Sequence, residues 1–169
     1  LDLRHHPIVA VRAALNKYMG RERMRAAGLD IPRYGLVPLG ANARGAADEV
    51  GRTVGYPAVL KPLAMAASRG VDRVNTPAGL ATAFGRMTSL IRAFPSAHDE
   101  IANQHILVET YIPGEEVAVE GIVERGRLHV FAIFDKVDRL EGPFFPETMY
   151  VTPSRLPSTV QMDIHDVTR

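Results

Sequence analysis

A lysine at the end of an apolar run is the first residue of this sequence that could do chemistry. Residues 57–60 read Pro-Ala-Val-Leu and are followed by Lys61. Burying an unpaired ammonium is costly, so Lys61 must lie near water, a carboxylate or a bound anion. The small residues that follow, up to Ser68, Arg69 and Gly70, let backbone N–H groups approach an oxyanion. The stretch predicts an anion-binding loop, with a solvated surface lysine as the alternative.

The elements around Lys61 must hold it in place, and their patterns alternate between helical and extended. Helical spacing between caps and Gly or Pro stops predicts helices over residues 8–28, 43–54 and 76–94. Thr76 is a good N-cap, and Pro77 suits the first helical position. Short apolar runs predict strands over 34–40, 57–62 and 70–76, the last two as hairpin partners. The polar residues 95–105 predict a loop.

After residue 105 the composition changes to favour strands. Extended segments are predicted over residues 106–112, 115–126, 127–137 and 147–153. Glu124-Arg125-Gly126-Arg127 is typical of a hairpin turn between two of them. The whole pattern predicts an α+β chain with a break near residue 105.

Composition excludes several classes of protein. The 169 residues suffice for one domain or two small lobes. The absence of cysteine excludes disulfides and thiolate metal sites and is compatible with a reducing cytoplasm. No apolar run approaches the roughly 18 residues of a membrane helix. We therefore expect a cytoplasmic protein without a membrane partner.

The net charge of +1 conceals an uneven distribution of charge. Residues 1–44 hold eight Lys/Arg against three Asp/Glu, whereas residues 106–169 hold six against eleven. This disfavours a nucleic-acid partner, which needs a concentrated basic face. A basic front and an acidic back could enclose a polyanion, or they could simply be solvated faces that balance each other.

Common catalytic fingerprints are absent from the sequence. There is no GxxxxGK[ST], GxGxxG, HExxH, GxSxG or EF-hand spacing. The six histidines show no spacing typical of metal ligands. These patterns name no catalytic residue and no metal ligand.

Four motifs in a fixed order nevertheless resemble the ATP-grasp superfamily, most closely its carboxylate–amine ligase branch. They cover roughly residues 14–157. The motifs are Asn16-Lys17 with Arg21 and "GLDIP", then "GYPAVLKP" with Ser68-Arg69-Gly70-Val71, then "ILVETYIPGEE", and finally "FDKVDRLEGPFFPETMYVTPSRLP". Met65 and Ala67 stand where related loops often carry glycine, which implies a stiffer loop.

The resemblance implies a role for each matched residue. Lys17 and Lys61 would neutralise ATP phosphates, because lysine serves phosphate as a point charge. The loop 63–70, with Ser68, Arg69 and Gly70, would lie over those phosphates.

The adenosine part of ATP would be bound by the third motif. Glu109 and the backbone groups of Tyr111 and Ile112 would meet the adenine. Glu116 would accept hydrogen bonds from the ribose hydroxyls, since a carboxylate can accept two donors. Lys17 as a solvated helix residue, and Glu109 and Glu116 as strand-face acids, are the structural alternatives.

In fold, the resemblance implies the central part of an ATP-grasp ligase. Residues 1–40 would form a helical opening segment and a linker strand, and residues 41–105 the small α+β lobe. Residues 106–169 would supply the first antiparallel strands of the larger lobe. The family's magnesium ligands, a late Glu followed by Glu-x-Asn, are expected outside this chain, which alone is expected to be inactive.

In function, the resemblance implies an enzyme that uses ATP and Mg²⁺. The parent protein would phosphorylate a small-molecule carboxylate and then let an amine displace the phosphate to form an amide. The alternatives are a biotin-carboxylase-like enzyme that activates bicarbonate, a nucleotide-binding module without chemistry, and a structural domain that binds no ATP. A homo-oligomer remains open.

Overall fold

The computed structural model describes residues 5–138, 141–146 and 148–169, which form two compact units. The first unit runs to Ile112 and also includes Gly142–Phe145, and the second comprises Pro113–Glu141 and Pro146–Arg169. In chain order the first unit contains α1 (Ile8–Leu15), α2 (Lys17–Ala26), β1 (Tyr34–Pro38), α3 (Ala43–Thr53), β2 (Ala58–Pro62), β3 (Asp72–Val74), α4 (Pro77–Ala93), α5 (Glu100–Gln104) and β4 (His105–Thr110). The second contains β5 (Val117–Glu124), β6 (Arg127–Lys136), β7 (Tyr150–Val151) and α6 (Ser158–Thr168).

The first unit is built on a four-stranded antiparallel sheet in the order β1-β4-β2-β3. One face of the sheet packs against α3 and α4. The side chains in this core are apolar and at most 8% exposed, and they include Leu60, Phe84, Ile91, Ile106 and Val108. Helices, strands and their antiparallel pairing confirm the predicted α+β class.

Local signals place several elements correctly. Helix α4 begins as predicted, because the Thr76 side chain accepts a hydrogen bond from the N–H of Gly79 and Pro77 occupies the first turn. Gly28 follows the end of α2 with φ +75°, a conformation that glycine adopts without strain.

Two predictions about helices are wrong. The single helix over 8–28 is divided at Asn16, whose extended backbone separates α1 from α2 and whose side chain accepts from the N–H of Met19 as an N-cap. The loop predicted over 95–105 contains the short helix α5, capped by Asp99 through a hydrogen bond from the N–H of Ala102. Asx side chains compete effectively for free helical N–H groups, and this competition decides both boundaries.

The units do not divide where the composition changes. Strand β4 pairs with β1 on one side and β2 on the other, so the first unit continues past residue 105 to Ile112. The segment Gly142–Phe145 also joins this unit, through a bridge between Asp72 and Phe144 and a hydrogen bond from the N–H of Arg73 to the Pro143 carbonyl. The assignment of segments 1–40, 41–105 and 106–169 to ATP-grasp lobes stays a prediction.

The second unit is a three-stranded antiparallel sheet in the order β5-β6-β7. The predicted hairpin is confirmed: Arg125 and Gly126 have φ of 50° and 79°, as the two-residue turn requires. Strand β7 is shorter than the predicted strand 147–153 and, among the residues that the structure describes, pairs with Asp135 and Lys136. Glu147, at the start of that predicted strand, lies outside the described residues. Helix α6, which no sequence pattern predicted, follows Pro157.

Asp135 holds the segment after β7 against β6. Its carboxylate accepts from the Ser154 hydroxyl at 2.5 Å and from the N–H of Arg155 at 2.8 Å. The N–H of Arg155 and then the Ser154 hydroxyl are the main groups that hold the pKa of Asp135 below its ordinary value.

No helix among the residues described here has the length and apolar character that crossing a bilayer requires.

Gly121 marks an irregularity in the β5–β6 ladder that offers a test of this register. Glu120 pairs with Ala132 but Gly121 with Val130, so Phe131 bulges between them. A Cβ on Gly121 would lie 2.5 Å from the His129 carbonyl oxygen, a backbone atom. We expect Gly121→Ala to destabilise the second unit by about 1–3 kcal/mol, because the facing strand must move.

Hydrogen exchange of the β5 and β6 amides would measure this loss. Gly85→Ala is the control, since no atom lies within 4 Å of its added Cβ, and in helix α4 it should stabilise by roughly 0.5–1 kcal/mol. Unchanged protection of β5 and β6 in Gly121→Ala would mean that the bulge lies elsewhere.

Candidate functional site

The Lys61 ammonium lies on a buried carboxylate. Lys61 pairs with Leu107 in the β2–β4 ladder, and Glu109 stands two residues further along β4 on the same face. The Lys61 Nζ is 2.5 Å from Glu109 Oε2, and the Glu109 side chain is only 3% exposed. The sequence required water, a carboxylate or a bound anion beside this lysine, and the structure shows the carboxylate of Glu109.

Arg21 reaches the same carboxylate from helix α2. Its Nε lies 2.5 Å from Glu109 Oε1 and its Nη2 3.3 Å from Oε2, which is a two-point contact. Burial alone would raise the pKa of the Glu109 carboxyl, but the hydrogen bond from Arg21 and the charge of Lys61 more than offset it, so this pKa lies below its ordinary value. The carboxylate is therefore ionised and shared.

Arg21 was predicted only as part of a family motif, four residues after Lys17, and not as a site residue. On a helix, that spacing puts two side chains on one face. The spacing alone thus indicated that Arg21 and Lys17 would be neighbours.

Lys17 lies at the start of α2 and contacts the beginning of the loop after β2. Its Nζ donates to the carbonyl oxygen of Pro62 at 3.0 Å and to that of Met65, and its backbone N–H donates to Leu63. Burial and then the charge of Lys61 lower the pKa of Lys17, while Glu109 acts in the opposite direction. A nearby anion would raise the pKa of Lys17 again, because it favours the charged ammonium.

We call Lys17, Arg21, Lys61 and Glu109 the basic cluster. The cluster holds three cations and one carboxylate, which Arg21 and Lys61 contact directly, so it carries two positive charges in excess. A low-dielectric surface with excess positive charge favours a polyanion. The sequence predicted an anion-binding loop without identifying the anion, and the excess positive charge of the basic cluster favours a group with several negative charges, such as a polyphosphate.

The loop over residues 63–70 is folded by its own backbone. The N–H of Arg69 donates to Ala66 at 3.2 Å and the N–H of Val71 to Ser68 at 3.1 Å. Ala67 and Ser68 have φ of 53° and 54°, which costs a side-chain-bearing residue roughly 1–2 kcal/mol. Ala67 is one of the two positions where related loops often carry glycine, so this loop adopts the left-handed turn without glycine's freedom.

Two of the three residues predicted at the end of the loop, Arg69 and Gly70, pack against α4 or the residue that follows it. Gly70 has φ 75°, and a Cβ there would lie 2.6 Å from Leu90 Cδ2 and 2.9 Å from Pro62 Cγ. The Arg69 guanidinium lies 4.0 Å from the centre of the Phe94 ring, a cation–π contact. Arg69 thus lies over an aromatic ring in the structure, and its phosphate role stays a prediction.

Tyr111 and Ile112, which are predicted to meet the adenine together with Glu109, lie two and three residues after it. The Tyr111 N–H donates to the Pro57 carbonyl at 3.1 Å, and the Arg73 guanidinium lies 3.9 Å from the centre of its ring. Ile112 is 64% exposed. The Glu109 carboxylate itself contacts Arg21 and Lys61, so its predicted contact with adenine also stays a prediction.

Glu116 belongs to the second unit. Its side chain is 54% exposed and accepts a hydrogen bond from the Lys136 ammonium, whose side chain is 11% exposed. Its predicted contact with ribose stays a prediction. Lys136, like Arg21, was part of a matched motif without being singled out.

The described ranges 5–138, 141–146 and 148–169 contain no cluster of three or more His, Asp or Glu side chains that could hold a metal ion. The chain contains no cysteine. The expectation that magnesium ligands lie outside this chain stays a prediction.

Comparison with known proteins identifies the family to which this chain belongs. Residues 54–169 match the ATP-grasp domain family, and the chain belongs to that family. An L-amino acid ligase from Bacillus licheniformis has a similar structure, with a TM-score of 0.80 and 26% sequence identity over 99% of this chain and 38% of that one. The predicted ATP-grasp-like α+β fold is thereby confirmed.

Sequence relatives include D-alanine–D-alanine ligases and an alanine–anticapsin ligase. The D-alanine–D-alanine ligase of Polaromonas naphthalenivorans is 27% identical over 157 residues, covering 89% of this chain and 45% of that protein. The alanine–anticapsin ligase of Bacillus subtilis is 25% identical over 168 residues, covering 92% of this chain and 34% of that protein. The chain spans less than half the length of these relatives.

Proposed function

We propose that this chain is the nucleotide-binding part of an ATP-dependent carboxylate–amine ligase. The basic cluster carries the proposal, because its two excess positive charges suit a polyphosphate in a chain of the ATP-grasp family. Relatives that are amino-acid ligases favour amide formation over bicarbonate activation.

The proposed reaction has two steps. A carboxylate oxygen of the first substrate attacks the γ-phosphorus of ATP, the bond to the β–γ bridging oxygen breaks, and ADP leaves. The nitrogen of the amine substrate then attacks the acyl carbon of the acyl phosphate, inorganic phosphate leaves, and the amine loses a proton. Positioning and neutralisation of charge supply most of the catalysis in phosphoryl transfer.

The residues of this chain would bind and orient the nucleotide. Lys17 and Lys61 would contact phosphate oxygens, and the loop with Ser68, Arg69 and Gly70 would cover them. Bound Mg²⁺ would neutralise charge on the β- and γ-phosphates.

The adenosine contacts follow from the same proposal. Glu109 with the backbone of Tyr111 and Ile112 would meet the adenine, and Glu116 the ribose. The parent protein would take small carboxylate and amine substrates, and we place it in the cytoplasm, which suits a chain without cysteine.

Calorimetric titration of the chain with ATP, ADP, AMP and adenosine tests this proposal. We expect affinity to fall in that order, and to fall with salt more steeply for ATP than for AMP, because the basic cluster interacts with phosphate charge. Lys61→Met should weaken ATP binding about tenfold, the scale of one charge-assisted contact, and leave adenosine binding unchanged.

The matched control is Arg44→Met, which removes one positive charge from an exposed position on α3. It should leave all four affinities unchanged at physiological salt. Equal affinities for ATP and adenosine in the unaltered chain would exclude a phosphate site at the basic cluster. In the parent protein, ADP formation that requires both a carboxylate and an amine distinguishes a ligase from a module without chemistry.

A further inference from the structure

Arg21 has no role of its own in the proposed ATP site, although it contacts Glu109 of that site. Two of its guanidinium nitrogens, Nε and Nη2, are on the Glu109 carboxylate, and the third, Nη1, is 3.4 Å from the sulfur of Met24. The guanidinium is therefore engaged within the protein, and its target is the carboxylate that also holds Lys61.

The buried position of Glu109 makes this sharing important. At 3% exposure its carboxylate has little access to water and must be balanced by neighbouring cations. With Arg21 present, two cations balance one anion, and a positive charge is left over beside Lys61. Without Arg21, Lys61 would neutralise Glu109 by itself. Its positive charge would then be balanced within that pair and would attract a phosphate oxygen less.

We propose that Arg21 is a positioning residue for nucleotide binding, which acts through Glu109 to hold the Lys61 ammonium in place and to leave its charge available to a phosphate oxygen. The inference rests on the proposed function above. It assigns to Arg21 an indirect role: the guanidinium contacts the carboxylate, and Lys61 contacts the phosphate.

A double-mutant cycle between Arg21 and Lys61 tests this role, with ATP affinity as the readout. Arg21→Met should weaken ATP binding about tenfold in the unaltered background, but less than about twofold when Lys61 is already methionine. The control Arg25→Met removes the same charge one turn further along α2, at a side chain that is 66% exposed and paired with Glu22. It should leave ATP affinity unchanged.

The cycle also separates the competing roles. Losses that simply add would mean that Arg21 contacts the phosphate directly, and unchanged affinity in folded Arg21→Met would mean that its role is confined to stability. Either result overturns the proposal. If Arg21→Met does not fold, Arg21→Lys replaces it in the same cycle. Lysine keeps the positive charge but cannot make the planar two-point contact with the carboxylate that a guanidinium makes.

A second readout needs no nucleotide. Carbon-13 NMR titration of the Glu109 carboxyl should show its pKa rising in Arg21→Met and staying unchanged in Arg25→Met, and an unchanged pKa in Arg21→Met would overturn the proposal. Should the unaltered chain fail to bind ATP while Glu109 still responds to Arg21, the proposed function fails, and the positioning role in binding fails with it. Binding of ATP with additive losses overturns the role of Arg21 alone.

Discussion

Replacing Leu60 by alanine is expected to destabilise the first unit by about 2–5 kcal/mol, the range for truncating a buried leucine. Leu60 is fully buried in β2, opposite Val108 of β4 and within the core that α3 and α4 cover. Removing its isopropyl group loses apolar burial and leaves a cavity that the strands on both sides cannot close. Native-state hydrogen exchange of the β2 and β4 amides measures the loss in the first unit separately from the second.

Two variants define the scale of this effect. Leu15→Ala makes the same truncation at a side chain that is 68% exposed, and should change stability by no more than about 0.5 kcal/mol. Leu60→Met nearly conserves volume and should cost less than about 1.5 kcal/mol. Equal effects of Leu60→Ala and Leu15→Ala would mean that β2 is not in the core.

The second large effect is expected at Glu109. Glu109→Gln keeps the shape of the side chain but leaves Arg21 and Lys61 without their shared anion. Because Glu109 is 3% exposed, we expect a loss of about 1.5–3 kcal/mol, the range for hydrogen bonds that involve a charged group. The cost stays below that of an orphaned buried charge, since the Arg21 and Lys61 side chains are 25% and 23% exposed and can regain water.

The pH dependence of this loss identifies its cause. The pKa of Glu109 is lower in the folded chain than its ordinary value, so its contribution to stability is fully present above the unfolded pKa of about 4.3. As pH falls below that value and through the folded pKa, the contribution is lost. The difference in unfolding free energy between the unaltered chain and Glu109→Gln should therefore be constant near neutral pH and shrink below about pH 4.

Other carboxyls do not obscure this comparison. Glu22, Glu49 and Asp135 also have lowered pKa values, but they titrate alike in both proteins, so the difference isolates Glu109. Chemical denaturation from pH 2.5 to 7, followed by hydrogen exchange in β4, gives the two curves. A pH-independent difference would mean that the carboxylate is not ionised in its pair with Arg21 and Lys61.

Leu60 and Lys61 show how adjacent residues divide between fold and site. Successive side chains of a strand point to opposite faces, so Leu60 enters the core under α3 and α4 while Lys61 joins Glu109 on the other face. Destabilisation by Leu60→Ala with unchanged ATP affinity in the folded fraction, and weaker ATP binding by folded Lys61→Met, would separate the two roles.

The sequence alone determined the features that depend on neighbours along the chain. Thr76 with Pro77 predicted the start of α4, and Arg125-Gly126 predicted the hairpin turn. Both were predictable because helix caps and tight turns depend on contacts within a few residues. The motifs also identified the ATP-grasp family, because their lysines, small loop residues and acids occur in a fixed order along the chain.

Only the tertiary structure decided how distant residues meet. Strand β4 lies between β1 and β2, so the composition change near residue 105 does not divide the units. Arg21 reaches Glu109 across 88 residues of sequence, and Lys61 reaches it across 48. Strand alternation and helical spacing give the face on which each side chain lies. Which side chains meet on that face depends on the pairing between strands, and on the cost of burying a carboxylate without neighbouring cations.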